Sequence, residues 1–313
     1  MKPKVSLITP IYRVEPYIAK CARSLFSQTY PEIQFIFVDD GTPDRSIEVL
    51  NEVIDKEFPG CREQILILHR ENGGLPQARL TGLQKADGDY ILYVDSDDWV
   101  ETDYVEKMVG KALESGSDIV YCDYFKHYDK RTSIGREAEY AAVEPLLTDL
   151  IHGVRFHGFL WNKLIRRELF FGIDLAWPRA NTREDLVISF QQLYYARKVT
   201  HLPETLYHYR RNNAGSLLHL NKVTSRAQCS VNHMVLYDHY RGKEKPNPVS
   251  VIESDFLAQT GWFMYKSDSV QLLEQYPYLP QLLLDLPASS ERFLRRIRVR
   301  RWVRNWLRNK GKA

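Results

Sequence analysis

Three aspartates occupy four positions directly after a short apolar run. Asp95, Asp97 and Asp98 follow residues 90–94 (YILYV). Carboxylates this close repel one another, and a bound divalent cation would neutralise their charge. Mg²⁺ and Mn²⁺ prefer oxygen ligands and usually complete their coordination with substrate phosphates, so one or two of these carboxylates plus a diphosphate would suit. The alternative is a polar turn whose aspartates cap a helix.

A second group of acids follows another apolar run. Asp39, Asp40 and Gly41 come after residues 33–38 (IQFIFV). A carboxylate at the end of a strand can accept hydrogen bonds from a ribose or a base, and a glycine lets the backbone approach a ligand closely. Asp44 also suits the N-cap of the following helix, so a polar turn without a ligand remains an alternative here.

The segments around these acids alternate between strand and helix patterns. The predicted strands are residues 4–9, 33–38, 65–68, 90–94 and 118–121, and the predicted helices are residues 15–28, 44–58, 76–86 and 103–115. Successive strand–helix units require parallel strands, and strands that are apolar on both faces require helices on both sides of the sheet. The acids would then meet at the carboxyl edge of the sheet, where such folds bind ligands.

Later segments have weaker patterns. They predict helices at residues 144–151 and 184–197, short strands at 199–202 and 206–210, and a largely helical chain from about residue 219, with a linker at 243–248 and a further helix at 249–265.

Several short motifs resemble, in order and spacing, family 2 glycosyltransferases of the GT-A fold. They are Thr9-Pro10-Ile11-Tyr12, Ser27-Gln28-Thr29-Tyr30, Phe37-Val38-Asp39-Asp40-Gly41-Thr42-Pro43-Asp44, Asn72-Gly73-Gly74 with Ala78-Arg79, Gly88-Asp89-Tyr90 and Asp95-Ser96-Asp97-Asp98. Two later motifs resemble bacterial members that build surface polysaccharides: Trp161-Asn162-Lys163-Leu164 and Arg183-Glu184-Asp185-Leu186.

The resemblance covers residues 4–216 and implies the fold. It is an α/β nucleotide-diphospho-sugar transferase fold, with a mostly parallel sheet, helices on both faces and a C-terminal helical extension. We expect a GT-A domain at residues 1–216, a helical region at 217–290 and a basic amphipathic helix at 291–313.

The resemblance also implies a role for individual residues. The donor would contact Pro10, Tyr12, Asp40, Arg79 and Asp95. Tyr12 would stack on the nucleobase and Asp40 would accept hydrogen bonds from it, while Arg79 would lie near the nucleotide. Asp97 would bind Mn²⁺ or Mg²⁺ directly, with Asp95 near the ribose or in the metal shell. UDP is the nucleotide expected at the level of the family.

Asp185 matches the acid that acts as general base in the family. It would remove the proton of the acceptor hydroxyl as that oxygen attacks the anomeric carbon, and such help typically contributes ~10²–10⁴-fold. A single displacement inverts the anomeric centre. On the acceptor side, Trp161 is either a platform for a sugar ring or a core residue, and Glu184 is a weaker candidate that could equally cap a helix. His208 could complete the metal shell, although a structural role is favoured.

Composition limits the class of protein and its surroundings. Apolar residues make up 44% and charged residues 27% of the 313 residues, as in a soluble globular protein and unlike a disordered one. The four cysteines are far apart and read as free thiols. We find no signal peptide and no apolar run long enough to span a membrane, so a cytoplasmic location is expected.

Positive charge is concentrated at the C-terminus. Residues 292–313 contain ten Lys or Arg and no acid, whereas the rest of the chain has a net charge of −7. At helical spacing, Val299, Trp302, Val303, Trp306 and Leu307 fall on one arc, and Arg298, Arg300, Arg301, Arg304 and Arg308 fall on the other. This pattern favours a helix lying on an anionic membrane surface, with packing on the body as the alternative and nucleic acid least favoured.

The acids and motifs together predict an inverting, metal-dependent hexosyltransferase. Its substrates would be a nucleotide-diphosphate sugar, most simply a UDP-sugar, and a hydroxyl of a glycan or lipid-linked acceptor in bacterial surface or capsular polysaccharide synthesis. A sugar nucleotidyltransferase would need a glycine-rich loop after the first strand, where this chain has Pro10-Ile11-Tyr12-Arg13. An inactive scaffold that binds nucleotide sugar or glycan is the other alternative, and the presence of Asp97 and Asp185 argues against it.

Overall fold

The first half of the chain folds into four strand–helix units, as the sequence predicts. The computed structural model describes residues 2–213, 221–243, 249, 253–286 and 293–310. The units are β1 (Val5–Ile11), α1 (Glu15–Phe26), β2 (Ile33–Asp39), α2 (Ser46–Glu57), β3 (Ile65–His69), α3 (Leu75–Leu83), β4 (Tyr90–Tyr93) and α4 (Tyr104–Ser115), with a 3₁₀ turn at Pro59–Gln64. The four strands are parallel, in the order β3-β2-β1-β4.

The remaining strands complete a mixed sheet. They are β5 (Trp99–Val100), β6 (Ile119–His127), β7 (Thr132–Gly135), β8 (Lys163–Arg166) and β9 (Val199–Arg210), and the helices among them are α5 (Val143–His152), α6 (Glu168–Phe171) and α7 (Glu184–Tyr195). Strand β8 is antiparallel to both β4 and β6, and β9 is parallel to β6. The described residues thus form one nine-stranded mixed sheet, in which the first four strands of the order are all parallel.

Two local features differ from the sequence-based expectations. The two short strands predicted at 199–202 and 206–210 are one strand, β9, because its register against β6 shifts after Leu202 and accommodates Pro203, which cannot donate a ladder hydrogen bond. Asp44 is not the N-cap of α2, a position that Arg45 occupies. It lies one residue earlier and accepts hydrogen bonds from the backbone N and Oγ of Ser46 at 3.2 and 2.6 Å.

Helices cover both faces of the sheet, as expected. Side chains alternate along β1, so Leu7 belongs to the core layer under α1, α2 and α4, while Ile8 belongs to the layer under α3 and α7. The C-terminal helices enlarge this second layer. They are α8 (Lys222–Tyr240), α9 (Glu253–Ser267), α10 (Val270–Gln275), α11 (Leu279–Asp285) and α12 (Phe293–Lys310). Phe190 of α7 and Phe256 of α9 pack with ring centroids 6.0 Å apart.

The basic tail forms helix α12, and its apolar arc faces the body. The helix packs on α9 and α11, with Val299 and Val303 buried. The indole Nε1 of Trp302 donates a hydrogen bond to Asp268 Oδ1 at 2.9 Å. The packing alternative therefore accounts for Val299, Trp302, Val303 and Trp306 but not for Leu307, which is exposed, and most of the arginines face outward. Of the helices in the described ranges, none has both the length and the hydropathy to cross a bilayer.

Candidate active site

The predicted donor residues meet at the carboxyl edge of the parallel strands. Strand β1 lies between β2 and β4, with Pro10 paired to Val38 and Ile8 to Tyr93. The segments that leave these three strands carry Tyr12, Asp40 and the 95–98 acids. Parallel pairing brings these segments to one edge because all three strands end there.

Asp40 fixes the loop that follows β3. Its buried carboxylate accepts hydrogen bonds from the backbone N of Gly73 at 3.0 Å and of Gly74 at 2.8 Å, and it pairs with the Arg70 guanidinium. Both oxygens are therefore engaged by the protein. Asp40 thus holds the loop that follows β3, and its predicted hydrogen bonds to a nucleobase stay a prediction. Sequence reasoning did not single out Arg70, whose only signal is its position directly after a strand.

A glycine makes this loop packing possible. Gly41 has φ +65°, and a Cβ at this position would lie 2.9 Å from the backbone N of Asn72. Both the left-handed conformation and the close approach require glycine. The Asp-Gly pair is thus a structural requirement of the packing between the loops that follow β2 and β3.

Tyr12 is placed to contact a planar ligand. Its side chain is 40% exposed, although Pro10 and Ile11 just before it are buried. The adjoining backbone is held to the Asp40 segment, since the backbone N of Asp40 donates to Ile11 O at 3.0 Å. An exposed ring at this edge is consistent with the predicted stacking on a base.

Arg79 is a buried bridge between two carboxylates. Its side chain is 2% exposed, and it donates to Asp95 Oδ1 at 2.9 Å and pairs with the Glu184 carboxylate. The predicted contacts of Arg79 with the nucleotide and of Glu184 with the acceptor stay predictions. The pair connects the end of β4 to the first turn of α7. Burial raises the pKa of Glu184, and the Arg79 guanidinium opposes that rise.

Asp185 sits next to this bridge, in the first turn of α7. The side chain is half-buried, and one carboxylate oxygen accepts a hydrogen bond from the backbone N of Leu186 at 2.7 Å. The helix begins from Arg183, which has φ +59°. The bridge therefore connects the candidate base to the Asp95 side of the donor site.

The acidic loop is tied to the far end of the sheet. The buried carboxylate of Asp98 accepts hydrogen bonds from Tyr207 Oη at 2.8 Å and from the backbone N of Arg210 at 2.7 Å. The Arg210 side chain donates to the backbone oxygen of Asp97 at 2.8 Å. Asp98 is thereby a structural acid that sets the shape of the loop. Sequence reasoning missed both partners because they lie more than 100 residues downstream.

Asp97 carries unfavourable charge in this loop. Burial and the neighbouring charge of Asp95 raise the pKa of Asp97 to about 6, and Asn213 Nδ2 donates to its Oδ2 at 2.7 Å. Within the described ranges, no three His, Cys, Asp or Glu side chains are grouped as metal ligands. Mg²⁺ is usually held by one or two carboxylates and substrate phosphates, so Asp97 and Asp95 fit an ion that shares its shell with a diphosphate.

Trp161 and His208 are packed inside the protein. Trp161 is 3% exposed and its ring stacks on Tyr207 at 4.3 Å between centroids, which favours the core alternative over the sugar platform. His208 Nε2 bonds with Glu101 at 2.8 Å, its Nδ1 faces His127 Nε2 at 2.9 Å, and its ring stacks on Trp99. These contacts agree with the structural role favoured for His208.

The neighbouring Lys163 holds the loop that packs on α7. It is fully buried, and its ammonium donates to His157 O at 2.9 Å, Phe159 O at 2.6 Å and Asn162 Oδ1 at 2.9 Å. Between these carbonyls lies Gly158, whose Cβ would fall 2.8 Å from Leu186 Cα and whose oxygen accepts from Ser189 Oγ at 2.7 Å. The loop thus positions the first turns of α7.

Comparison with known sequences gives a family for this arrangement. The chain matches the family model described as glycosyl transferase family 2 over residues 6–173, more than half of its length. The glycosyltransferase EpsJ of Bacillus subtilis (strain 168) is 37% identical over 219 residues, covering 68% of this chain and 62% of EpsJ. GlyA of Streptococcus pneumoniae serotype 4 is 33% identical over 218 residues, covering 66% of this chain and 30% of GlyA. The chain therefore matches less than two thirds of the length of these relatives.

Solved structures share the architecture. A crystal structure of Staphylococcus aureus TarS 1–349 in complex with UDP-GlcNAc has a TM-score of 0.69 at 18% identity, covering 98% of this chain and 92% of TarS 1–349. The mannosyltransferase PcManGT of Pyrobaculum calidifontis, in complex with GDP-Man and Mn²⁺, has a TM-score of 0.57 at 14% identity, with 97% and 85% covered. These identities support a shared fold alone. With its GT-A-like sheet and the family match together, the chain is a member of glycosyl transferase family 2.

Proposed function

We propose that this protein is an inverting, metal-dependent glycosyltransferase. It would move a sugar from a nucleoside diphosphate sugar to an acceptor hydroxyl. One observation carries the proposal: the buried Arg79–Glu184 pair connects Asp95, beside the candidate metal ligand Asp97, to the helix turn that bears Asp185. Donor-side acids and a candidate base are therefore held in one rigid unit.

The protein's own groups have distinct roles in the proposed reaction. Tyr12 stacks on the base, and the Asp40-bound loop shapes the wall beside it. A divalent ion held by Asp97 and Asp95 would neutralise the charge of the departing diphosphate. Asp185 removes the proton of the acceptor hydroxyl while that oxygen attacks the anomeric carbon from the face opposite the diphosphate. The single displacement inverts the anomeric centre and needs no covalent intermediate.

Substrate class is supported by the relatives and by the site. The structures of TarS with UDP-GlcNAc and of PcManGT with GDP-Man concern relatives of the same fold, so a nucleotide sugar is proposed here, with UDP as the first nucleotide to test. The acceptor is proposed to be a glycan or lipid-linked glycan of bacterial surface or capsular polysaccharide synthesis, and the site of action is proposed to be the cytoplasm or the inner face of the membrane.

Hydrolysis and binding of the donor test the proposal. We expect wild-type protein to release sugar slowly from a UDP-sugar with Mn²⁺, and to lose both this activity and UDP binding when EDTA is added. Asp97→Ala should lose metal-dependent UDP binding in calorimetry, because it removes the proposed ligand.

Asp185→Asn should keep UDP binding but lower turnover by about 10²–10⁴-fold, because the amide retains the shape and loses the basicity.

Two results would count against the mechanism. Unchanged UDP affinity in Asp97→Ala would remove the metal assignment, and turnover within a few-fold of wild type in Asp185→Asn would place the base elsewhere. A protein that binds UDP-sugars but never hydrolyses or transfers them would be the inactive scaffold.

A further inference from the structure

The outer face of α12 presents a row of arginines that form no ion pair with the acids of the described residues. Arg298, Arg301, Arg304 and Arg308 are exposed and follow one another at intervals of three or four residues. Within the described ranges, none of the four lies within ion-pair distance of an Asp or Glu. Some other exposed basic residues are paired, as Arg23 is with Glu57 at 2.7 Å. The α12 arginines are therefore free to neutralise an external anion.

The opposite face of the same helix cannot serve as an apolar anchor in this conformation. Val299 and Val303 are buried against α9 and α11, and Trp302 is bonded to Asp268. Trp306 is partly buried against the same core. Insertion of either tryptophan into a bilayer would require α12 to leave its packing site.

We propose that the exposed arginine face of α12 docks the protein on an anionic lipid surface through electrostatic attraction, with the tryptophans left in place. The row from Arg298 to Arg308 extends about 15 Å along the helix, a suitable length to contact several lipid headgroups. Ile297 and Leu307 are 37% and 41% exposed near its two ends. These apolar side chains suit the headgroup region of a bilayer better than they suit a phosphate backbone.

Charge outside the helix also favours a membrane over a nucleic acid. The chain before residue 292 has a net charge of −7, so it offers little further attraction to a long polyanion. A membrane needs only one face of the protein, and α12 lies at the surface. The docking proposal does not depend on the proposed function. The benefit of docking does rest on the proposed function, because a transferase with a lipid-linked acceptor gains from being held at the bilayer.

Vesicle sedimentation tests the surface directly. Full-length protein should bind vesicles of phosphatidylcholine containing about 30% phosphatidylglycerol and should not bind pure phosphatidylcholine. Removing three arginines in Arg301→Ala/Arg304→Ala/Arg308→Ala should weaken binding by about 100-fold, which corresponds to ~1 kcal/mol per basic residue. Raising salt from ~0.1 to ~1 M should abolish binding in wild type, because it shortens the Debye length from ~10 to ~3 Å.

A matched variant controls for net charge. Arg45→Ala/Lys56→Ala/Arg62→Ala removes three exposed charges near α2, each of which faces an acid, and should leave vesicle binding within a few-fold of wild type. Circular dichroism and thermal melting confirm that both triple variants fold. Hydrolysis of a soluble UDP-sugar, unchanged in both, would separate loss of docking from loss of the active site.

Four outcomes would overturn the proposal. Binding that survives in the α12 variant would place the docking surface elsewhere. Equal binding to neutral vesicles, or binding that persists at ~1 M salt, would mean that apolar insertion is the cause. Displacement of the protein from anionic vesicles by RNA at equal phosphate concentration would favour a nucleic-acid partner.

Discussion

At the scale of single residues, the site depends on acids whose partners are distant in sequence. The Asp39-Asp40 and Asp95–Asp98 groups could be found from sequence because each follows an apolar strand. Which of these acids holds a loop and which faces the candidate site could not be inferred from sequence, because burial and hydrogen bonding decide it. Asp40 and Asp98 accept hydrogen bonds that hold loops in place. Asp97 differs from them in having a pKa raised to about 6 by burial and by the charge of Asp95. Arg79 likewise lies in a motif that predicts a nucleotide contact, but in the structure it forms a buried ion pair with Glu184.

Removing Arg79 should separate stability from catalysis. Arg79→Met leaves the Glu184 carboxylate buried without its cation, and we expect a loss of about 3–5 kcal/mol in the free energy of unfolding. The double variant Arg79→Met/Glu184→Gln leaves no buried charge unpaired there, so most of the stability should return. Turnover should stay low in both, because Asp95 is no longer joined to the turn that bears Asp185. Urea denaturation and donor hydrolysis measure the two effects.

The double variant is the informative control. If it regains wild-type turnover together with its stability, the Arg79–Glu184 pair is a structural contact alone and does not position the reacting groups.

At the scale of elements, local patterns predict the first half of the fold better than the second. Strands β1 to β4 are apolar runs whose parallel direction could be inferred from the helices between them. Their ends could be inferred only roughly, since β1 continues through Pro10 to Ile11, and β4 pairs with β1 and β8, which are distant in sequence. The order of β8, β6, β9 and β5 depends on pairings between distant segments, which no local pattern encodes. Trp161 shows the same limit, because an aromatic residue beside a strand suits a ligand platform and a core equally well.

Lys163 should matter through the loop that it holds against α7. Lys163→Met leaves the carbonyls of residues 157 and 159 buried without a donor, so we expect a loss of about 2–4 kcal/mol in the free energy of unfolding. We also expect a lower kcat with little change in KM for the donor, because the loop contacts α7 near Asp185 and not the nucleotide side.

An exposed lysine is the comparison for this variant. Lys85→Met should change stability by less than about 0.5 kcal/mol. A Lys163→Met protein that keeps wild-type kcat, despite reduced stability, would show that the loop does not position Asp185.

At the scale of the whole molecule, the C-terminal helices and the sheet share one core layer. His233 illustrates this: it is fully buried between α8 and α9, stacks on Phe256 at 5.0 Å and shares a hydrogen bond with Thr260 Oγ1 at 3.0 Å. Desolvation, with a smaller effect from the Arg183 charge, lowers the pKa of His233 well below its ordinary value. A neutral imidazole is thus part of the packing between the helical region and α7.

Stability should consequently fall in mild acid. Below pH ~6.5 the unfolded chain binds a proton at His233 that the folded protein does not, so the free energy of unfolding drops by up to ~1.4 kcal/mol per pH unit from this group. His233→Phe should remove that part of the slope between pH 7.5 and 5.5 in urea denaturation. His239→Gln, on the outer side of the same helix, should keep the slope. Equal slopes in all three proteins would contradict this account.

The hydrogen bonds that hold Asp98 have a consequence for the order in which the chain can fold during its synthesis. Tyr207 and Arg210, which hold its carboxylate, are made more than 100 residues after it. When the aspartates of the 95–98 loop leave the ribosome, the groups that fix their geometry have not yet been joined to the chain. The growing polypeptide can assemble its parallel strands early, but a defined donor loop forms only once β9 has emerged. A nascent chain therefore lacks the contacts that order the 95–98 loop until β9 has been made.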